Sequence, residues 1–190
     1  MAADSHAKLT KDQWRTKLRP LRTEVESSVE SEVVARLATF LEAKPGLFLF
    51  YRPMPHELNL DDLAEMLGWQ KFVTTRTPRS GSLTVHPAAS PTERHKFGFQ
   101  QPVQGSPLVE LAEVAVALVP ALAFDRNGTR LGHGAGYFDQ LLPRLPGECL
   151  RIGVTEEAFI FDELPSEAHD ISMTHLATES GVRAIAGSDP

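Results

Sequence analysis

The alternation of apolar and polar positions predicts helices and strands in turn along the chain. Residues 10–43 are predicted to be helical with an interruption near Pro20, and the second half carries apolar residues at four-residue spacing. These residues are Val25, Val29, Val33, Leu37 and Leu41. A shorter helix is predicted at residues 60–67, where helical spacing follows Asn59, a good N-cap residue. The longer apolar stripe needs a partner surface.

Short, continuously apolar runs predict the strands. Residues 47–51 end before Pro53, and residues 114–119 end at Pro120, so both runs suit strands that are buried on two faces. Further strands are predicted at residues 72–75, 83–85, 150–154 and 182–185. Residues 87–109 are rich in proline, serine, glutamine and glycine and are predicted to form a long functional loop. Strands that alternate with helices indicate a three-layer α/β domain, in which helices flank a mostly parallel sheet.

Composition narrows the classes of protein that this domain can represent. The chain has 190 residues, of which 42% are hydrophobic and 23% charged, as in ordinary globular proteins. We expect one domain over residues 8–186, including the helical arm, with frayed ends at 1–7 and 187–190. The net charge of −6 argues against a nucleic-acid binder. The single cysteine, Cys149, excludes an internal disulfide and a cysteine-based zinc site.

The sequence also carries none of the patterns typical of membrane and secreted proteins. No apolar run approaches the roughly 18–20 residues of a membrane helix. The N-terminal residues have no apolar signal-peptide core. We therefore expect a cytoplasmic protein that acts on small molecules as a monomer or weak homodimer, without nucleic-acid or membrane partners.

The most informative segment is a glycine-rich loop that follows the strand predicted at residues 114–119. Glycines alternate at positions 132, 134 and 136, and residues 137–142 are predicted to form a helix. Ligands of open α/β sheets bind at the carboxyl ends of the strands, and alternating glycines allow backbone N–H groups to approach an anion. The spacing therefore suggests a phosphate-binding loop.

The residue types around this loop leave two interpretations open. Arg130 and His133 flank it and can contact phosphate, and Asp139 falls in the first helical turn, where it can hold Mg²⁺ beside a phosphate. However, the GxGxG spacing matches neither the dinucleotide-binding GxGxxG pattern nor the P-loop. A structural glycine turn, with Asp139 as an ordinary charge at a helix start, accounts for the same spacing.

The run from Arg130 to Asp139, RLGHGAGYFD, resembles a known family signature. The signature is that of the 5-formyltetrahydrofolate cyclo-ligases, in which Arg-Leu-Gly-x-Gly-x-Gly-Tyr-Tyr-Asp follows a strand and a Pro-Gly/Ala-x-x-Phe-Asp segment. Residues 120–125 match that preceding segment. This motif is specific enough to carry the resemblance.

Three weaker features occur in the order that this family shows. The KDQWR run at residues 11–15 resembles its N-terminal Lys-x-x-Leu-Arg helix, and Glu57 matches the glutamate with which the family binds folate. His169 and Asp170 match its His/Asn-Asp element, which carries a second metal-binding carboxylate. The resemblance covers about residues 8–178 and implies a Rossmann-like cyclo-ligase fold.

The resemblance implies a reaction and a role for each site residue. Members of this family convert 5-formyltetrahydrofolate and MgATP to 5,10-methenyltetrahydrofolate, ADP and phosphate, through phosphorylation of the formyl oxygen and ring closure by N10. Arg130 and Arg15 are then catalytic, and Asp139 and Asp170 hold Mg²⁺. The residues implied to bind ATP are Lys11, Arg15, Arg130, Leu131, Gly132, His133, Gly134, Ala135, Gly136, Tyr137 and Phe138. The residues implied to bind the folate are Glu57, Tyr137 and Phe97.

Several positions depart from the family pattern. Phe138 replaces a tyrosine, Gln140 stands where bacterial members often have arginine, and Thr174 stands where an aspartate commonly follows the His-Asp element. Arg19 and Arg22, on or near the N-terminal basic face, are expected to be surface residues. Two rival functions stay open: a non-catalytic folate- or nucleotide-binding relative, and another α/β enzyme such as a sugar-phosphate isomerase or an acyl-CoA transferase.

Overall fold

A seven-stranded, mostly parallel sheet forms the centre of the computed structural model, which describes residues 9–78 and 81–187. The helices are α1 (Lys11–Leu18), α2 (Ser27–Leu41), α3 (Asp61–Leu67) and α4 (Tyr137–Leu141). The strands are β1 (Leu47–Phe50), β2 (Phe72–Arg76), β3 (Thr84–Pro87), β4 (Thr92–Arg94), β5 (Gln100–Pro102), β6 (Val114–Pro120), β7 (Ala123–Asp125), β8 (Arg130–Leu131), β9 (Leu150–Val154), β10 (Ile160–Phe161), β11 (His175–Thr178) and β12 (Gly181–Ala184). Of the predicted frayed ends, residues 1–7 and 188–190 lie outside the described residues, and Gly187 lies inside them.

The central sheet has the strand order β12-β11-β9-β6-β1-β2-β3. Its inner strands run parallel, and the edge strands β3 and β12 each pair antiparallel with their neighbour. Two small sheets, β10-β7-β8 and the β4-β5 hairpin, complete the described part of the fold. The mostly parallel α/β sheet predicted from the sequence is thus confirmed.

Helices cover both faces of the sheet because successive residues of a strand point to opposite sides. Phe48 and Phe50 of β1 lie in one core cluster with Leu37 of α2 and Leu63 of α3. Leu49, between them, lies in a second cluster that includes residues of α4. These β1 side chains are almost completely buried. The predicted three-layer arrangement is therefore confirmed, and the apolar stripe of α2 has found the sheet as its partner surface.

The N-terminal arm breaks near Pro20, as the sequence predicts. α1 begins with a capping box, in which the side chains of Thr10 and Gln13 each accept a hydrogen bond from the other's backbone N–H. Trp14 is buried in a cluster with Leu131, the residue that precedes the glycine-rich loop. This contact fixes the basic face of α1 beside that loop.

Arg22 is buried, so the prediction that it is a surface residue is wrong. Its side chain is only 4% exposed and lies 3.3 Å from the carboxylate of Glu156. Its guanidinium donates to the carbonyl oxygens of Ala121 and Leu122 and to the hydroxyl of Thr155. Burial lowers the pKa of Arg22, and Glu156 opposes that shift. Arg22 therefore fastens the extended segment after α1 to the end of β6.

Residues 87–109 are not the unstructured loop that their composition predicts. They contain the β4-β5 hairpin, which is bound to the end of β2. Arg76 donates to the carboxylate of Glu93 at 2.7 Å, and the backbone N–H of Thr77 donates to the side chain of Gln101 at 3.1 Å. The hairpin is thereby held at the carboxyl-end edge of the sheet.

The sequence pattern also misses β11, which lies inside the sheet between β9 and β12. Its apolar residues Leu176 and Ala177 are flanked by His175 and Thr178, so the run is too short to stand out. In the described part of the chain, no helix combines the length and the apolar character needed to cross a membrane.

Candidate functional site

The glycine-rich loop runs from β8 to α4 and depends on glycine for its path. Gly134 and Gly136 have φ angles of 101° and 72°, which residues with a side chain rarely adopt. A Cβ at Gly132 would lie 2.6 Å from Nη1 of Arg130. Gly132 therefore allows the close approach of Arg130, and Gly134 and Gly136 allow the backbone path of the loop.

A buried aspartate, Asp125, holds the turn that precedes this loop. Its carboxylate accepts hydrogen bonds of 2.8–2.9 Å from the backbone N–H groups of Asn127, Thr129 and Leu164. In the same turn, the carbonyl of Gly128 accepts a hydrogen bond from the backbone N–H of Met173. A Cβ at Gly128 would lie 2.6 Å from the Met173 carbonyl oxygen. The turn thus connects the glycine-rich loop to the segment that carries Asp170.

Arg130 and Asp139, which flank the loop, form an ion pair with each other. The Arg130 side chain is 8% exposed, and its guanidinium carbon lies 5.7 Å from the centre of the Phe138 ring. Burial lowers the pKa of Arg130, whereas the Asp139 carboxylate raises it. The pair therefore places one charged donor fork and one carboxylate side by side at the start of α4.

The basic face of α1 lies against the same loop. Lys11 donates to both carboxylate oxygens of Asp170, at 2.7 and 2.9 Å. Arg15 donates from Nε to the carbonyl oxygen of Gly132 at 3.0 Å, and Arg19 donates to that of His133 at 2.9 Å. Arg19 is exposed, as predicted, but it contacts the loop.

These contacts bring the residues predicted to bind phosphate and metal into one charged cluster. Arg130 lies within electrostatic reach of Asp139, Asp170 and Arg15. Burial acts to raise the pKa of Asp170, but the hydrogen bonds from Lys11 and from a backbone N–H outweigh it, so the pKa is lowered. Asp170 is therefore kept ionised beside the cations of the cluster.

A cavity of about 390 Å³ adjoins this cluster. Its walls come from the glycine-rich loop, the residues after β1 and β2, and the β4-β5 hairpin. The predicted site residues that line it are Glu57, Phe97, Arg130, Gly132, His133, Gly134, Ala135, Gly136, Tyr137, Phe138 and Asp139. Lys11, Arg15 and Asp170 belong to the charged cluster but do not line the cavity. Leu131 is fully buried, so only its backbone is close to the site.

Glu57 is held in the cavity wall by two hydrogen bonds. Its carboxylate accepts one from the backbone N–H of Met54 at 2.9 Å, and it lies 3.1 Å from Nε2 of His133. The side chain is 7% exposed. Burial raises the pKa of the neighbouring Tyr51 hydroxyl, and the charge of Glu57 adds to that shift. The result is a fixed acceptor at an otherwise largely apolar surface.

Aromatic side chains also line the cavity. Phe97 and Phe99, near the tip of the β4-β5 hairpin, both line the cavity, and so does Tyr137 at the start of α4. Phe97 is 55% exposed, although large apolar side chains are usually buried. An exposed ring in a cavity wall can cover a flat, aromatic ligand.

Sequence reasoning missed Tyr51, Arg52, Thr77 and Phe99 as cavity residues. The first three follow β1 and β2 directly, so the rule that ligands bind at the carboxyl ends of parallel strands offered a signal for them. Phe99 had no such signal, because its position depends on a hairpin that the composition of its segment does not predict.

The three departures from the family pattern lie in different surroundings. Phe138 lines the cavity and packs beneath Arg130. Gln140 is exposed and lies 3.4 Å from Ser82. Thr174 is completely buried and exchanges hydrogen bonds with the backbone of Arg151, so its side chain serves the sheet. Only Phe138 therefore lies in the cavity wall.

Asp139 and Asp170, the two carboxylates predicted to hold Mg²⁺, are each paired with a cation of the cluster. Mg²⁺ is usually bound by one or two carboxylates together with waters and phosphate oxygens. Asp139 and Asp170 supply two carboxylates that both act on Arg130. Among the described residues, no group of three or more histidine, cysteine, aspartate and glutamate side chains forms an all-protein metal cage.

Together, the fold and the site define an α/β enzyme class in which a charged glycine-rich loop adjoins a ligand cavity. The comparisons with known proteins identify the family. The sequence profile of the 5-formyltetrahydrofolate cyclo-ligase family matches residues 7–179. The chain belongs to this family, which confirms the resemblance and the enzyme class predicted from the sequence.

Individual relatives and a solved structure agree with this assignment. A 5-formyltetrahydrofolate cyclo-ligase of Mycolicibacterium smegmatis is 42% identical over 92 residues, about half of either chain (47% of each). The Haemophilus influenzae enzyme of the same name is 22% identical over 86% of this chain and 94% of its own. The solution structure of the Aquifex aeolicus 5,10-methenyltetrahydrofolate synthetase aligns with a TM-score of 0.77 and 26% identity, over 96% of each chain. The fold class is thereby confirmed.

Proposed function

We propose that this protein converts 5-formyltetrahydrofolate to 5,10-methenyltetrahydrofolate in a reaction that consumes ATP and requires Mg²⁺. One observation carries the proposal. A single cavity is lined by Arg130, Asp139 and the glycine-rich loop and also by Glu57 and Phe97. A phosphoryl donor and a folate can therefore meet in one space, which the reaction demands.

The charged cluster would bind the phosphates of ATP. Arg130 presents a planar fork that suits two phosphate oxygens, and Lys11 supplies a point charge. Arg15 is anchored by Nε to the carbonyl of Gly132, which keeps its guanidinium beside the loop. Asp139 and Asp170 would hold Mg²⁺, which neutralises charge on phosphate oxygens when it is bound.

Glu57 and the aromatic residues that line the cavity would bind the folate. Glu57 accepts hydrogen bonds only, so it suits the amino and ring N–H groups of a pterin. The Glu57 carboxylate is already oriented by Met54 and His133, so little rearrangement is needed on binding. Phe97 and Tyr137 would pack against the rings of the substrate.

In the proposed reaction, the formyl oxygen attacks the γ-phosphorus of ATP and ADP leaves. N10 then forms a bond to the activated carbon and loses its proton, and the carbon–oxygen bond breaks with release of phosphate. The protein aligns the two substrates, and Arg130 stabilises the negative charge on the transferred phosphoryl group. Exclusion of water by the aromatic wall would protect ATP from hydrolysis.

A near-ultraviolet assay with purified protein tests this function by following the methenyl product and ADP together. We expect product only when ATP and Mg²⁺ are both present. Asp139→Ala should abolish most of the activity. Asp162→Ala is the matched control, because Asp162 is exposed and paired with Arg126 away from the cavity.

Two results would contradict the proposal. Product that forms without ATP or without Mg²⁺ would rule out the phosphorylation step. Binding of ATP and folate without any product would favour the non-catalytic relative instead.

A further inference from the structure

One side chain of the glycine-rich loop contacts the carboxylate of Glu57. Of residues 132–136, only His133 and Ala135 carry a side chain, and that of Ala135 is a single methyl group. Nε2 of His133 lies 3.1 Å from Oε1 of Glu57, although the two residues are 76 positions apart in the sequence. Because a carboxylate only accepts hydrogen bonds, Nε2 carries the proton of this contact. His133 therefore connects the loop after β8 to the segment after β1.

The two oxygens of the Glu57 carboxylate have different partners. Oε2 accepts a hydrogen bond from the backbone N–H of Met54 at 2.9 Å, and the N–H of Glu57 donates to the Met54 carbonyl at 2.9 Å. One oxygen is thus held within its own segment, whereas Oε1 is held by His133. Each carboxylate oxygen can accept more than one hydrogen bond, so both can still bind a ligand. The orientation of Glu57 therefore depends on a residue of the glycine-rich loop.

His133 is itself held by contacts to its backbone and to its ring. Its carbonyl oxygen accepts a hydrogen bond from Arg19, which follows α1, at 2.9 Å. Its imidazole packs against that of His56, the neighbour of Glu57, with the ring centres 5.2 Å apart. The side chain is partly buried in the cavity wall. These contacts keep Nε2 of His133 close to the carboxylate that it orients.

We propose that His133 is a positioning residue, whose side chain orients Glu57 for the folate from within the loop that would bind the phosphates of ATP. The inference rests on the proposed function, because it concerns the same two substrates. Backbone groups of the loop would contact the nucleotide, whereas the imidazole of His133 serves the folate. A carboxylate that is oriented before the ligand arrives loses less freedom on binding, so the contact should strengthen folate binding.

Equilibrium binding of 5-formyltetrahydrofolate to the purified protein, without ATP, tests this role. His133→Ala should raise the Kd about three- to tenfold, a moderate loss because Met54 still holds one oxygen of Glu57. His133→Gln should restore most of the affinity, because its side-chain amide can donate a hydrogen bond at a similar reach. The matched control is His175→Ala, which should keep the Kd unchanged. His175 is also partly buried, but it does not line the cavity.

A double-variant cycle shows whether His133 acts through Glu57. The Kd is measured for Glu57→Ala, for His133→Ala and for the two changes combined. We expect the combined variant to bind the folate no more weakly than Glu57→Ala alone, because no carboxylate is left to orient. A general disturbance of the loop would instead weaken binding in both backgrounds. Additive losses, an unchanged Kd in His133→Ala, or no recovery in His133→Gln would each overturn the inference.

The assay for the methenyl product separates this inference from the proposed function. If no product forms but folate binding shows the expected recovery and non-additivity, the positioning role stands and the proposed reaction fails. If product forms but His133→Ala binds the folate like the unchanged protein, the reaction stands and the positioning role fails. If the unchanged protein binds no 5-formyltetrahydrofolate, both fail.

Discussion

Different interactions hold the charged cluster and the aromatic end of the cavity in place. The aromatic end consists of Glu57, Phe97, Phe99 and Tyr137. In the cluster, Lys11 is paired with Asp170 and Arg130 with Asp139, so each cation already has a carboxylate partner. At the aromatic end, burial and one oriented carboxylate, Glu57, define the shape. A ligand that binds in the cluster must replace a carboxylate as the partner of a cation. A ligand that binds at the aromatic end only has to match the shape of the cavity. We therefore expect substitutions in the cluster to affect kcat and substitutions at the aromatic end to affect KM.

Removal of Arg130 should have the largest effect. Arg130→Ala deletes the buried donor fork and leaves Asp139 unpaired, so we expect kcat to fall about 100- to 1000-fold. Steady-state kinetics with saturating folate and ATP measure this loss. Arg126→Ala is the control, since Arg126 is exposed and pairs with Asp162. A change in kcat of only a few fold would show that Arg130 does not stabilise the transferred phosphoryl group.

Glu57→Gln should mainly weaken folate binding. A hydrogen bond to a charged group contributes about 1.5–3 kcal/mol, so the KM for 5-formyltetrahydrofolate should rise about 10- to 150-fold. The KM for ATP should change much less, because Glu57 is hydrogen-bonded to Met54 and His133 and to no member of the cation–carboxylate pairs. Glu65→Gln, on the exposed side of α3, serves as control. An equal rise in the KM for folate and the KM for ATP would show that Glu57 contributes to the binding of both substrates.

The Lys11–Asp170 pair should make stability depend on pH. The pKa of Asp170 is lowered in the folded protein, where hydrogen bonds from Lys11 and the backbone outweigh the effect of burial. Its contribution is therefore complete above the unfolded carboxyl pKa of about 3.9 and is lost as pH falls through the lower folded value.

Thermal unfolding at several pH values measures this effect. Asp170→Asn should lower Tm by about 2–4 °C near neutral pH and by less as the pH approaches the acid range. Asp162→Asn, at a nearly fully exposed position, should show no such trend. A difference in Tm that grew on acidification would contradict the assigned direction of the Asp170 shift.

Phe97→Ala should give the smallest of these effects. Phe97 is 55% exposed, so we expect unchanged thermal unfolding and a KM for folate raised about three- to fivefold by the loss of ring contact. Leu108→Ala is matched to it, because Leu108 is 69% exposed and does not line the cavity. If Phe97→Ala and Leu108→Ala had the same KM for folate, Phe97 would not contact the folate.

Much of the fold and part of the candidate site could be predicted from local patterns. Short stretches of sequence are enough to recognise the apolar runs of β1, β6 and β9 and the apolar stripe of α2. This is because buried positions recur with the period of the strand or helix that carries them. The glycine-rich loop is likewise a local feature, because the positive φ angles of Gly134 and Gly136 favour glycine at those positions.

Local patterns in the sequence therefore predict the α/β class, the buried strands and the glycine-rich loop. Which charged side chains meet depends on the three-dimensional arrangement of the elements. Lys11 pairs with Asp170, which is 159 positions away in the sequence. Arg22 is buried against carbonyls 99 and 100 positions away, and the β4-β5 hairpin contributes residues to the cavity lining. The physical reason is that hydrophobic periodicity is set by the geometry of a single element. Ion pairs and cavity walls depend instead on which elements the strand order brings together.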